Sequence, residues 1–261
     1  MRPSIPSRIL GSIIDMRDLK EHRINQIAHR YSAYWWAISI GAPFVSAIVF
    51  TLIVRSSELL PGEVAATRWL HEDTGGFVRD VAGVFDVALD NQFAPIIFLA
   101  LIPFVWKVCG RYAMALFLVM GGLTVVIRSI EFASRPRPTE EFVWRDVFHG
   151  SSSYPSGHVI YAVLIFGMVA YLSNHFMRPS WRRSGLRVFL VTVIALMGVT
   201  RVIELDHWPA DVIGSYLISI ALLLAAIWLC PRLLPWLHKR VPMLASLVSG
   251  GSSQGNVADR F

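Results

Sequence analysis

The chain has 261 residues, 54% hydrophobic and 16% charged, with a mean hydropathy of +0.53 and a formal net charge of +6. Soluble domains carry about 25% charged residues, so the composition excludes an ordinary soluble protein and points to an integral membrane one. The basic residues flank apolar runs instead of forming a patch, which excludes a nucleic-acid binder, and Cys109 and Cys230 have neither metal-ligand spacing nor the makings of a disulfide framework.

Residues 1–33 mix Arg2, Arg8, Arg17, Lys20, Arg23 and Arg30 with apolar positions, and Ile13, Ile14, Ile24 and Ile27 suggest a short interfacial helix. This polar lead is too long for a cleaved secretory signal, and no small-residue cleavage site follows it closely. Tyr34 to Val54 is uncharged and long enough to form the first span, with Trp35 and Trp36 as an aromatic belt. Residues 55–92 are too polar to cross. Phe77, Val81, Phe85 and Ala88 recur there at helical spacing, which predicts amphipathic helices along the membrane surface. A connector is the favoured reading of that segment, over a lid or lipid portal.

The second span is expected over Phe93–Val108, with Pro95 and Pro103 inside it and Lys107 snorkelling from its end. The third runs from Tyr112 to Ile130, with Arg128 and Glu131 at its exit. Arg135-Pro136-Arg137-Pro138 cannot continue a helix, so residues 135–155 form a loop. The fourth span covers His158–Leu172 and the fifth Val188–Val202. The sixth covers Val212–Cys230, with Pro209 in its first turn. After Pro231 the tail becomes Gly/Ser-rich around Ser249–Gln254 and is expected to be disordered. The predicted fold is thus an all-α integral membrane protein of six transmembrane helices, with a short amphipathic helical segment between spans one and two. It divides into a cytoplasmic N-terminal segment (1–33), a six-span domain (34–230) and a cytoplasmic tail (231–261).

Sixteen arginines and lysines fall on the side of the two termini and eight on the other, so the positive-inside rule puts both termini in the cytoplasm. Parity adds a result independent of orientation. Arg128 and Arg135 leave span three, and His158 opens span four. Arg201 leaves span five, and His207 and Asp211 open span six. All therefore belong to one membrane face.

Charged residues beside membrane spans are costly, so their gathering is a functional signal. Tyr154-Pro155-Ser156-Gly157-His158 leads into a helix whose first N–H groups face an anion, with Ser156 as a candidate cap and Gly157 permitting close approach. Arg128, Arg135 and Arg201 add forked donors suited to a tetrahedral phosphate. His207 and Asp211, four apart at a helix start, share a face, so the carboxylate is placed to orient the imidazole. Taken singly, Arg128 and Arg201 read more readily as snorkelling helix-end residues, and Asp211 reads equally well as a charge favoured by the helix dipole. His71-Glu72-Asp73 reads as a solvated turn and His149 as a structural loop histidine.

Together, Arg128-x6-Arg135-Pro136, Pro155-Ser156-Gly157-His158 and Thr200-Arg201-x5-His207-x3-Asp211 resemble the three-part signature of the type 2 phosphatidic acid phosphatase superfamily, which also includes the vanadium haloperoxidases. Arg128 stands where the family pattern has lysine, and Thr200 where it has serine. The resemblance implies a lipid phosphatase of the cytoplasmic membrane, with its active site on the extracytoplasmic side. His207 would be the nucleophile that forms a phosphohistidine, and Asp211 its orienter. His158 would be the general acid and then the base, and Arg128, Arg135, Arg201, Ser156 and Gly157 the phosphate cradle. Guanidinium groups would replace Mg²⁺, so no metal and no cofactor are expected. The implied partners are the bilayer and a lipid phosphate or diphosphate, isoprenyl or phosphatidic-acid-like. The alternatives are a lipid phosphotransferase using the same intermediate, and an anion channel or transporter.

Overall fold

The computed structural model describes residues 34–57, 59–88, 92–138 and 152–240. The expected interfacial helix around Ile13–Ile27, His149 and the Gly/Ser-rich tail lie outside the described residues. The chain divides into two compact units, Met1–Ala42 and Pro43–Phe261, and every site residue discussed below belongs to the second.

Among the described residues the structure is helical except for connections and one isolated antiparallel bridge, Ala133 with Tyr154. The helices are α1 (Tyr34–Ser56), α2 (Glu63–Glu72), α3 (Gly76–Ala88), α4 (Ala94–Cys109), α5 (Arg111–Arg128), α6 (Gly157–Phe176), α7 (Trp181–Ile203) and α8 (Pro209–Arg240). Four are long and apolar enough to cross a membrane: α1, α6, α7 and the Pro209–Leu229 part of α8. Helix α4 is apolar but has 16 residues, a length of roughly 24 Å against a hydrocarbon core of about 30 Å. Six crossings therefore do not follow from helix length alone.

Two boundaries differ from expectation. Helix α7 begins at Trp181, not Val188, because the Ser180 hydroxyl caps it by accepting from the Arg183 N–H at 3.3 Å. Arginine is a good helix former, so the helix outruns its apolar stretch. Helix α8 does not stop at Cys230 but continues through Pro231 and Pro235 to Arg240. Each proline removes one backbone bond without ending a long apolar helix. The 55–92 segment forms α2 and α3, both lying against α7. On α3, Phe77, Val84 and Val87 are exposed, so Phe77 does not join an inward face with the half-buried Val81 and Phe85.

Helix α6 forms the centre. Every residue from Val159 to Phe166 is buried, packed among α5, α7 and α8. Its backbone widens into a π-helical turn at Ala162–Phe166. Helices α7 and α8 approach closely because Gly198 has no side chain. A Cβ there would stand 2.5 Å from Val212 Cγ1 and 2.7 Å from the Tyr216 hydroxyl. That hydroxyl accepts the Gly198 N–H at 3.1 Å and donates to the Ile194 carbonyl at 2.6 Å, bridging one turn of α7. The contact fixes the two helices whose neighbouring ends carry Arg201, His207 and Asp211.

Candidate active site

Two connections meet at the start of α6. After α5 the chain runs back along residues 152–155, held by the Ala133–Tyr154 bridge and by the Ser153 N–H donating to the Arg135 carbonyl at 2.9 Å. The Trp208 indole N–H donates to the Pro136 carbonyl at 2.9 Å, and the Tyr154 and Thr51 hydroxyls lie 2.7 Å apart. The second connection is the tight α7–α8 turn. There Arg201 O accepts the N–H groups of Asp206 at 3.0 Å and His207 at 3.2 Å, and Leu205 adopts a left-handed φ of 59°. A leucine in that region costs of order 1 kcal/mol, which the surrounding bonds must offset.

These connections bring Arg135, His207 and Asp211 into one buried network. Arg135 Nη1 donates to Asp211 Oδ1 at 2.7 Å, and its Nη2 pairs with the Glu63 carboxylate. Asp211 Oδ2 accepts the Trp208 N–H at 2.8 Å, closing the first turn of α8, and also accepts the Ser153 hydroxyl. All the charged members are less than 6% exposed, so removing any one strands its partner at about 3–5 kcal/mol. The two carboxylates raise the Arg135 pKa against the opposing effect of burial.

His207 is held differently from the sequence expectation. Its Nδ1 lies 2.7 Å from the Ser153 carbonyl, whereas Asp211 Oδ2 is 3.9 Å away, beyond hydrogen-bond range. A carbonyl only accepts, so Nδ1 carries the proton and Nε2 the lone pair of the neutral ring. Asp211 acts on the imidazole through Ser153, whose hydroxyl it holds, and as a nearby charge. Burial, then the charges of Arg137 and His158, hold His207 well below the usual histidine range, while the bond to Ser153 opposes them. Neutral His207 at pH 7 follows.

Arg128 extends over Gly157, its Nε 2.7 Å from where a Cβ would stand. Ser156 is the first residue before α6, but its hydroxyl does not cap the helix as expected. Instead its N–H donates to Ser215 Oγ at 2.7 Å, and its fully buried Oγ has no hydrogen-bond partner among the described residues. Arg201 is fully buried, with Nη1 3.1 Å from Asp206 Oδ2.

Three residues escaped the sequence reading. Arg137, whose Nη1 donates to the Asp206 carbonyl at 3.2 Å, was signalled only by the repeated Arg-Pro pair. Ser153 acts largely through its backbone carbonyl, which no side-chain pattern announces. Glu63 lies in the segment read as a connector and gives no local signal. His71, read as part of a solvated turn, instead places Nδ1 2.7 Å from the Ile203 carbonyl and ties α2 to the end of α7. Among the described residues, no three His, Cys, Asp or Glu side chains gather as metal ligands.

A family model described as the PAP2 superfamily matches residues 85–234. Among solved structures, the chain is similar to the first transmembrane PAP2 type phosphatidylglycerolphosphate phosphatase from Bacillus subtilis. The TM-score is 0.62 at 16% identity, covering 72% of this chain and 94% of that one. No curated protein matches. The likeness shows the fold, and four of the described helices are long and apolar enough to cross a membrane.

Proposed function

The chain belongs to the PAP2 superfamily, and from that membership and the site geometry we propose that it is a membrane phosphatase acting on a lipid phosphate or diphosphate. The observation that carries this reading is the 2.7 Å contact between His207 Nδ1 and the Ser153 carbonyl. It commits the ring to the tautomer whose Nε2 is nucleophilic, and the depressed pKa keeps that nitrogen unprotonated.

In this reading His207 Nε2 attacks phosphorus, and the P–O bond to the lipid breaks as His158 gives its proton to the departing oxygen. The phosphohistidine is then cleaved by water, whose proton His158 takes as the oxygen adds to phosphorus. Inorganic phosphate leaves and both imidazoles return to their starting state. Arg128, Arg201, the Ser156 hydroxyl and the N–H groups at Gly157 would balance the charge that spreads over the phosphoryl oxygens, whereas Arg135, expected from the sequence in that cradle, has both terminal nitrogens paired with Asp211 and Glu63 and would instead orient Asp211. Asp211 would stabilise the cationic phosphohistidine.

The proposed topology has six crossings, α4 and α5 supplying two of them, and both termini in the cytoplasm. The site then opens at the extracytoplasmic interface. The Bacillus subtilis relative is described as acting on phosphatidylglycerolphosphate. The proposed class for this chain covers phosphatidic-acid-like monoesters and isoprenyl diphosphates.

Purified full chain in detergent with EDTA, assayed for phosphate release from a panel of those lipids, tests the proposal. Metal-independent release, inhibited by vanadate and abolished in His207→Ala and His158→Ala, is expected. Strict Mg²⁺ dependence, or release that survives His207→Ala, overturns it. A phosphorylated acceptor in place of inorganic phosphate would instead identify a transferase.

A further inference from the structure

The Glu63 carboxylate is 5% exposed and accepts from three separate parts of the chain. It folds back on its own helix start by accepting the Leu60 N–H at 2.6 Å. It accepts the Ala210 N–H, 147 residues away, at 3.0 Å. It also pairs with Arg135, 72 residues away, whose other nitrogen holds Asp211.

Each of these bonds meets a physical need. Ala210 lies in the first turn of α8, where N–H groups have no partner within the helix and the dipole favours a negative charge. Helix α8 thus takes its capping carboxylate from α2. A guanidinium between two carboxylates is fixed in plane and direction by its forked geometry. Fixing Arg135 fixes Asp211, and through it the Ser153 hydroxyl, whose residue orients His207.

We propose that Glu63 is a positioning residue for catalysis: it clamps Arg135 and the first turn of α8 together, and so sets the geometry of Asp211, Ser153 and His207. Helix α2 is then part of the catalytic apparatus and not a connector. Glu63 reaches the reacting atoms only through Arg135, Asp211 and Ser153. Its loss should slow the chemical step while leaving substrate binding nearly intact. This role rests on the phosphatase reading for its kinetic arm, and on the fold alone for its structural arm.

Both arms use full-length protein in detergent, comparing wild type with Glu63→Gln, Glu63→Asp and His207→Ala. Glutamine keeps the shape and an acceptor oxygen but loses the charge; aspartate keeps the charge on a shorter stem. The expected kinetic result for Glu63→Gln is a fall in kcat on the order of a hundredfold, with KM within about threefold of wild type. Glu63→Asp should recover part of the loss. The structural arm reads amide exchange by mass spectrometry over residues 204–212, where exchange should quicken in Glu63→Gln while α6 stays protected. That measurement needs no substrate, so it decides on the clamp even if no tested lipid is hydrolysed. Unchanged exchange over 204–212, a wild-type kcat, or a raised KM with kcat intact each overturn the proposal. Activity retained in His207→Ala would instead sink the phosphatase reading and leave the exchange result standing.

Discussion

Arg128 lies across the backbone of Gly157, with its Nε 2.7 Å and its Cζ 3.2 Å from the place a Cβ would occupy. A guanidinium at the end of a flexible stem can move aside, so Gly157→Ala should barely alter the fold. It should instead push Arg128 out of the proposed phosphate cradle. The expected outcome is a KM raised about tenfold, near 1.4 kcal/mol of lost binding, with a thermal midpoint close to wild type. A wild-type KM would show that Arg128 does not contact the phosphate.

Ser156 provides a sharper separation of stability from function. Its buried hydroxyl has no hydrogen-bond partner among the described residues, so Ser156→Ala removes an unsatisfied polar group and should leave stability unchanged or slightly raised. If the hydroxyl serves the phosphate, the same substitution loses about 1 kcal/mol of binding, or roughly fivefold in kcat/KM. Unfolding and steady-state kinetics on one preparation check both halves. A loss of stability would contradict the reading of this side chain.

The depressed pKa of His207 has a defined pH signature. Its folded value lies well below 6.5, chiefly through burial and then the charges of Arg137 and His158. Below about pH 6.5 the unfolded chain therefore binds the proton that the folded chain refuses. Stability from this residue is complete above that pH and is lost as the pH falls through the folded value. Imidazole NMR, with the signal identified by its absence in His207→Asn, should give a midpoint below 6.5. A midpoint at or above 6.5 overturns the assignment of a neutral nucleophile.

Gly198→Ala addresses the framework. The added methyl would meet Val212 Cγ1 at 2.5 Å and the Tyr216 hydroxyl at 2.7 Å. Forcing α7 from α8 should cost about 1–3 kcal/mol, read as a lowered thermal midpoint in detergent. An unchanged midpoint would mean that the α7–α8 contact is looser than its geometry.

The candidate site residues were legible in the sequence because they stand at helix ends. Arg128, His158, Arg201, His207 and Asp211 each stand within a few residues of an apolar run, and in the proposed six-span topology all of them fall on one face. The actual bonding was less legible. The His207 tautomer is set by a backbone oxygen of Ser153, and every residue has one. Glu63 is a single carboxylate whose partners lie 72 and 147 residues away, so no spacing rule connects them. The helix ends at Trp181 and Arg240 were missed for another reason: capping and propensity extend helices past the apolar segments that hydropathy detects.

The π-helical turn at Ala162–Phe166 lets α6 serve two masters. A π turn stores one additional residue inside a helix without interrupting it. His158 lies on one side of this turn; Leu172 and Ser173, both buried, lie on the other. Rewinding this turn to regular α-helical pitch with every residue kept would swing one half of the helix by about 100° against the other. Either the histidine would leave its station or the lower half would present the wrong side to its neighbours. The wide turn thus works as a phase adjuster between the His158 end of the helix and its anchoring end.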